Sequence, residues 1–225
     1  MGESNRFGVT YSSLYRAHSR GALEMAQGHT ELARRYLEQV LQESFESHDL
    51  QALAYSCQIL AELDLLGGHA ADACAYLMPL LDQLHGVPVF ADCIHPFVAW
   101  ALLDLERNQE AAHVIEICIA GMRTRNRCLR LVDALRVRAM LAIQSRRWKA
   151  AKTDLDEAIM LAKAMPYPYA ELKALWVYGQ LEGARGNPAA ARKRFMAALA
   201  ICDRLGEGLY RPHIERDLAA VTQKG

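Results

Sequence analysis

The chain has 225 residues, 52% hydrophobic and 23% charged, a globular balance that excludes a disordered polymer. Its 26 Lys and Arg offset 26 Asp and Glu, so overall charge points to neither nucleic acid nor a membrane surface. No stretch approaches the ~18 consecutive apolar residues of a membrane span. The start, Met1 to Arg6, lacks the apolar core of a signal peptide. A soluble, cytoplasmic protein with no membrane partner is expected.

In chain order, apolar spacing predicts paired helices over 9–27 and 30–46, 49–66 and 69–85, 90–105 and 108–122, 128–145 and 148–164, and 169–185 and 188–205. A last amphipathic segment over 209–222 would cap the exposed end. The pairs share one pattern: a polar turn, then a small residue, then a bulky one a helical turn later, then another small or apolar position. The copies read Gly28, Ala33, Leu37, Val40; Gly68, Ala73, Leu77, Leu80; Glu106, Ala111, Ile115, Cys118; Arg146, Ala151, Leu155, Ala158; and Gly186, Ala191, Phe195, Ala198. The turn positions lie 40, 38, 40 and 40 residues apart. Five copies in register mark a solenoid of helical hairpins. The expected fold is all-α: a single right-handed superhelical domain over 9–222, with repeats at 9–46, 49–85, 90–122, 128–164 and 169–205 plus the cap.

Local chemistry supports the turns. Glycine at 28, 68 and 186 suits the left-handed backbone that follows a helix end. Asn187 before Pro188 reads as an N-cap and first helical residue. The third repeat has Glu106 in place of the glycine. Pro79 and Pro96 fall inside predicted helices, where each should kink or restart its helix. The six cysteines share no C-x-x-C spacing and fall at apolar helix positions, so they read as core residues in a reducing compartment.

These residues resemble the tetratricopeptide repeat. The last unit matches best, through Trp176, Gly179, Gly186, Ala191, Phe195 and Ala198. The period of about 40 exceeds the usual ~34 residues. That long form is similar to the superhelical domain of MalT-like transcriptional activators and related signal-transduction ATPases. The segments Met165 to Leu172, Gly186 to Arg192 and Ala198 to Gly206 carry that likeness. The chain has neither a phosphate-binding Gly-x-x-x-x-Gly-Lys-Ser/Thr loop nor a C-terminal helix-turn-helix. The resemblance therefore implies the sensor or interaction part of a regulator, or a stand-alone scaffold or adaptor.

In that family the first helix of each hairpin lines a concave groove. By this resemblance the groove holds Tyr15, His18, Tyr55, Gln58, Glu62, Cys93, Trp100, Asp133, Arg136, Met140, Lys173, Trp176 and Gln180. Such a lining suits a protein or peptide partner or a small effector ligand. Trp100 and Trp176 read equally as inter-helix core. The family's carboxylate clamp needs Lys and Asn where this chain has His18 and Ala22.

One charge asymmetry stands apart. From Gly121 to Lys152 there are eight Arg and two Lys against a single acid, Asp133. The run Arg123, Arg125, Arg127 and Arg130 lies at the turn between the third and fourth hairpins. It is either a basic edge that meets an anion or acidic partner, or a solvated face neutralised by acids of adjacent repeats. No catalytic motif, direct DNA-binding motif, cofactor loop or metal-ligand spacing occurs, so no enzyme activity, cofactor or metal is expected. His113 and Glu116, one turn apart, would need further metal ligands from elsewhere. Self-association is left open.

Overall fold

The computed structural model describes residues 4–84 and 86–223, with side chains from residue 14 onward. Two expectations fall partly outside the described residues: the leader-free start at 1–6 and the helix end at 85. Among the described residues there are eleven helices and no strand. They pair as α1 (Ser4–Ala26) with α2 (Thr30–Ser47), α3 (Leu50–Leu66) with α4 (Ala70–Gln83), and α5 (Pro88–Asp104) with α6 (Asn108–Thr124). The series continues with α7 (Cys128–Gln144) and α8 (Trp148–Ala164), then α9 (Pro168–Ala184) and α10 (Pro188–Leu205), and ends at α11 (Arg211–Thr222). Within each pair the helices pack together, and each second helix also packs on the next first helix. The first helices form an inner layer, α1 on α3, α3 on α5, α5 on α7 and α7 on α9.

The turns explain the period. Gly28, Gly68 and Gly186 have φ of 84°, 82° and 78°. Glu106 and Arg146 reach the same left-handed region at 60° and 55° without being glycine. At all five turns the next amide reaches back five residues: His29 N–H to Glu24 O, His69 to Asp64, Arg107 to Leu102, Arg147 to Ala142 and Asn187 to Glu182, at 2.8–2.9 Å. This is the bond that closes a helix C-terminus. The same bond recurs between hairpins, from Asp49 to Ser44, Arg127 to Met122, Tyr167 to Ala162 and Glu207 to Cys202. His48, Asn126 and Gly206 sit there with positive φ. The same closing bond thus serves turns within hairpins and most turns between them, the α4–α5 link excepted, where Val87 N–H donates to Leu84 O instead. The short spacing between 68 and 106 arises at the α4–α5 link, where α4 is only 14 residues long.

Pro79 and Pro96 do not restart their helices; α4 and α5 run through them. Pro79 is exposed, and around Pro96 the buried Cys93, Ile94 and Phe97 hold the helix in the core. Asn187 does not cap α10 with its side chain; its amide donates instead to Glu182 Oε2 at 3.0 Å. The six cysteines are all free and five are buried. Burial pushes the Cys57 and Cys202 thiols up to about 12, so they stay protonated.

Hairpin packing is a small-to-large contact repeated five times. Ala33, Ala73, Ala111, Ala151 and Ala191 are buried, as are Leu37, Leu77, Ile115, Leu155 and Phe195. Each large side chain falls in register with a small residue seven positions before the turn: Gly21, Ala61, Ala99, Ala139 or Gly179. At Gly179 the contact is closest, since a Cβ there would lie 2.3 Å from Phe195 Cε1. A glycine inside a helix costs about 1 kcal/mol relative to alanine, and overpacking a core costs about 1–3 kcal/mol. Gly179→Ala should therefore lower the urea midpoint, and Phe195→Leu in the same chain should recover part of the loss. Gly183, on the same helix, would place its Cβ 3.4 Å from Val221, an ordinary contact. Gly183→Ala should raise stability by up to about 1 kcal/mol.

Candidate functional site

The expected groove residues all lie on the inner helices, but the structure divides them into two environments. Glu62, Cys93, Trp100, Asp133, Arg136, Lys173 and Trp176 are buried. Tyr15, His18, Tyr55, Gln58, Met140 and Gln180 are half-buried. Tyr15 packs on the small core formed by Leu14, Val40 and Ala52.

The buried group is an ionic cluster joining helices far apart in sequence. Lys173 Nζ on α9 donates to Glu62 Oε1 on α3 at 3.0 Å and pairs with Asp133 Oδ1 on α7 at 2.7 Å. Arg136 Nε lies 3.6 Å from the same Asp133 oxygen. Its guanidinium carbon sits 4.6 Å from the Trp100 ring centroid, and Nη1 contacts Met140 Sδ at 3.7 Å. Two cations thus meet two carboxylates, with aromatic faces completing the shell. Burial alone would raise the Asp133 pKa, but Lys173 and Arg136 outweigh it and hold the carboxyl below its ordinary value. Burial would lower Lys173, and Asp133 and Glu62 reverse that, raising it.

A segment outside the expected groove completes this centre. Residues 207–210 run between α10 and α11 into the interior. The Tyr210 hydroxyl donates to Glu62 Oε1, and its ring meets Trp176 and Tyr169 edge to face. Glu207 accepts the backbone N–H of Tyr210 at 2.7 Å, which fixes the bend. Gly208 N–H donates to Ala26 O at 2.7 Å, tying this segment to the first hairpin. A Cβ on Gly208 would lie 2.4 Å from Gln27 O, so only glycine fits there. On α11, Asp217 accepts from Trp176 Nε1 at 2.8 Å and from Gln180 Nε2 at 2.9 Å. The centre of the expected groove is therefore filled by the chain itself. Two glycines flanking Glu207, followed by Leu209 and Tyr210, were the sequence signal for an inserted segment; the periodic pattern ended the last repeat at 205 and began the cap at 209, leaving 206–208 unassigned.

An open cleft remains at one rim. It has a volume of about 370 Å³ and is lined by Tyr55 of α3, Val89 and Cys93 of α5, and Arg127, Leu129 and Arg130 at the start of α7. Tyr55 is held between His18, 6.3 Å away by ring centroids, and Phe90, at 6.2 Å. His18 Nδ1 lies 3.0 Å from Ser56 Oγ, and burial lowers its pKa. The Arg130 guanidinium stands 5.8 Å from the Tyr55 centroid. Burial raises the Cys93 thiol, against the opposing pull of Arg130. Part of the expected groove and part of the expected basic edge thus line a single cleft.

The rest of the basic edge is neutralised in space. Arg123 pairs with Glu157 at 2.7 Å, and Arg125 grips buried Asp92 through two bonds of 2.5 and 3.3 Å. Arg138 binds Asp154 through two bonds and Glu116 through a third. Among the described residues no carboxylate pairs with Arg127 or Arg130 within salt-bridge distance. Nor do the described residues contain a group of three or more side chains able to hold a metal, His113 and Glu116 included. No described helix is long and apolar enough to cross a membrane.

No family model and no curated protein matches the chain. Among solved structures it is similar to the crystal structure of BtubC (BKLC) from P. vanneervenii, with a TM-score of 0.60 and 17% identity. The match covers 93% of this chain and 83% of that one. At this identity the likeness extends to the fold alone.

The interior cluster makes a stability prediction. Removing one member of a buried ion pair costs about 3–5 kcal/mol. Lys173→Met should lose that much in urea denaturation, and adding Asp133→Asn should restore part of it. The raised Lys173 pKa stabilises the fold below the ordinary 10.5, a contribution lost as pH rises through the folded value. The lowered Asp133 pKa stabilises it above the ordinary 3.8, a contribution lost as pH falls through the folded value. Stability measured against pH should fall at both ends in the wild type, and Lys173→Met should reduce the alkaline fall, the remainder coming from buried thiols and tyrosines whose pKa values burial also raises.

Proposed function

We propose that the chain is a non-catalytic binding module of the long tetratricopeptide type, a right-handed superhelix serving as the cytoplasmic sensor or interaction part of a bacterial signal-dependent transcription regulator. The observation that carries the binding reading is the rim cleft. It draws side chains from three successive hairpins, Tyr55 from the second, Cys93 from the third and Arg127 and Arg130 from the fourth, into one open concavity. Joint presentation by neighbouring repeats is how solenoids build recognition surfaces. The titratable groups of the interior, in contrast, are buried and bound to one another, which suits a structural lock better than a reaction centre. The regulator assignment rests on the sequence resemblance; a free-standing scaffold is the second reading, favoured by the same repeat architecture.

The partner or effector should engage the cleft rather than the outer helices. Wild-type protein, a Tyr55→Ala/Leu129→Ala variant and a Met160→Ala/Met196→Ala variant would be immobilised and exposed to lysate from the cells of origin. Met160 and Met196 are exposed on α8 and α10. A ligand retained by the wild type and the outer variant, and lost by the folded cleft variant, is the expected result. Equal retention by both variants would reject the cleft, and turnover of a substrate by the purified chain would reject the non-catalytic reading. The regulator reading predicts coding sequence for a nucleotide-hydrolysing module upstream or a helix-turn-helix downstream; neither being present would favour the scaffold.

A further inference from the structure

We propose that the rim cleft is an oxyanion site, recognising a carboxylate or phosphate carried on a small aromatic or aliphatic group. The inference rests on the binding-module reading and adds the chemical class of the ligand. Its first support is charge. Arg127 and Arg130 face the cleft with no carboxylate within salt-bridge distance among the described residues, while Asp92, the one acid on its wall, is held by Arg125 through two bonds. The chain supplies acids to Arg123, Arg125 and Arg138 from neighbouring helices but, among the described residues, none to Arg127 or Arg130, the two arginines that share this cleft. Guanidinium groups suit oxyanions because their planar fork matches two oxygens at once.

The second support is the backbone beneath those arginines. The first three N–H groups of α7, at Cys128, Leu129 and Arg130, have no intrahelical acceptor. Its first turn carries no acid, and Arg127 at the N-cap position makes no side-chain cap bond. The positive end of the helix thus adds to the field of both arginines. The third support is the apolar wall. Leu129 is 44% exposed beside half-buried Val89, and the Tyr55 ring is held by His18 and Phe90. A volume of about 370 Å³ lies at the small end of ligand pockets. It suits one charged head and one ring or short chain.

The test titrates the full chain with phenyl phosphate, phenylacetate and the neutral benzyl alcohol, following amide shifts at 127–130 by NMR. Binding of either anion, with benzyl alcohol much weaker, is expected. Phenyl phosphate alone would identify phosphate as the preferred head, phenylacetate alone would identify carboxylate, and equal binding would identify a general oxyanion site. Arg127→Gln and Arg130→Gln should each weaken the anion roughly tenfold, the scale of one charge-assisted hydrogen bond. Both variants should keep the wild-type melting transition, and rising salt should weaken the wild type more than either variant. Equal binding of benzyl alcohol, absence of shifts with both anions, or affinity unchanged in both variants would overturn the oxyanion site. If the capture experiment still depended on Tyr55 and Leu129, the binding-module reading would stand without it; if capture also failed, both would fall.

Discussion

The architecture depends on a lysine with two carboxylates at its centre. Five stacked hairpins need not meet themselves, because each touches only its neighbours. Here Lys173 reaches across the inner layer to Glu62, 111 residues earlier, while also pairing with Asp133 between them. Such a bridge forms only if α3, α7 and α9 surround a common interior. Moving these ions from water is costly, so the bridge draws on further contacts around it. They come from Trp100 over Arg136 and from Tyr210 on Glu62. Glu62 therefore links a repeat helix, a distant repeat helix and the C-terminal segment in one carboxylate.

The repeat was legible in the sequence because its determinants are local. A turn residue, an alanine five positions later and a bulky side chain four beyond that are read within one hairpin, and all five copies pack as their spacing implied. The turns between hairpins were harder to see. His48 and Asn126 take the left-handed backbone without the glycine that would mark it, and the cost is absorbed by the same backward amide bond. The opposing position seven residues before each turn was noted only in the last unit, at Gly179, although Gly21, Ala61, Ala99 and Ala139 share its small size. A search for small residues before the turn as well as after it would have found both sides of the contact.

The site was less legible, for two physical reasons. Helical spacing identifies the face of a helix, and every expected groove residue does lie on an inner helix. It does not give the curvature with which successive hairpins stack, which accumulates over the whole chain. That curvature brings Lys173 to Glu62 and turns the middle of the groove into core. Linear charge left two readings of the basic run open. Along the chain the run from Arg123 to Lys152 is strongly basic, yet Arg125, Arg138 and Arg123 find Asp92, Asp154 and Glu157 from before and after it. Linear charge density measures the surface potential of an isolated helix, not that of a helix packed against others.

These two effects of packing have a common consequence for recognition. Once the centre is filled by Tyr210 and by the cluster of Lys173, Arg136, Glu62 and Asp133, binding energy at the inner layer has to come from its edge. At that edge Tyr55 is already oriented by His18 and Phe90, so little of its side-chain freedom remains to be lost when a ligand docks. The locked interior supports that orientation, because α3 carries both Tyr55 and Glu62, seven residues apart, two turns along the same helix. Weakening the lock should thus loosen the cleft through α3 without touching any cleft residue. A milder variant than Lys173→Met, such as Tyr210→Phe, removes only the hydroxyl bond to Glu62. It should reduce anion affinity at the rim while leaving both arginines in place, and an unchanged affinity would separate the lock from the site.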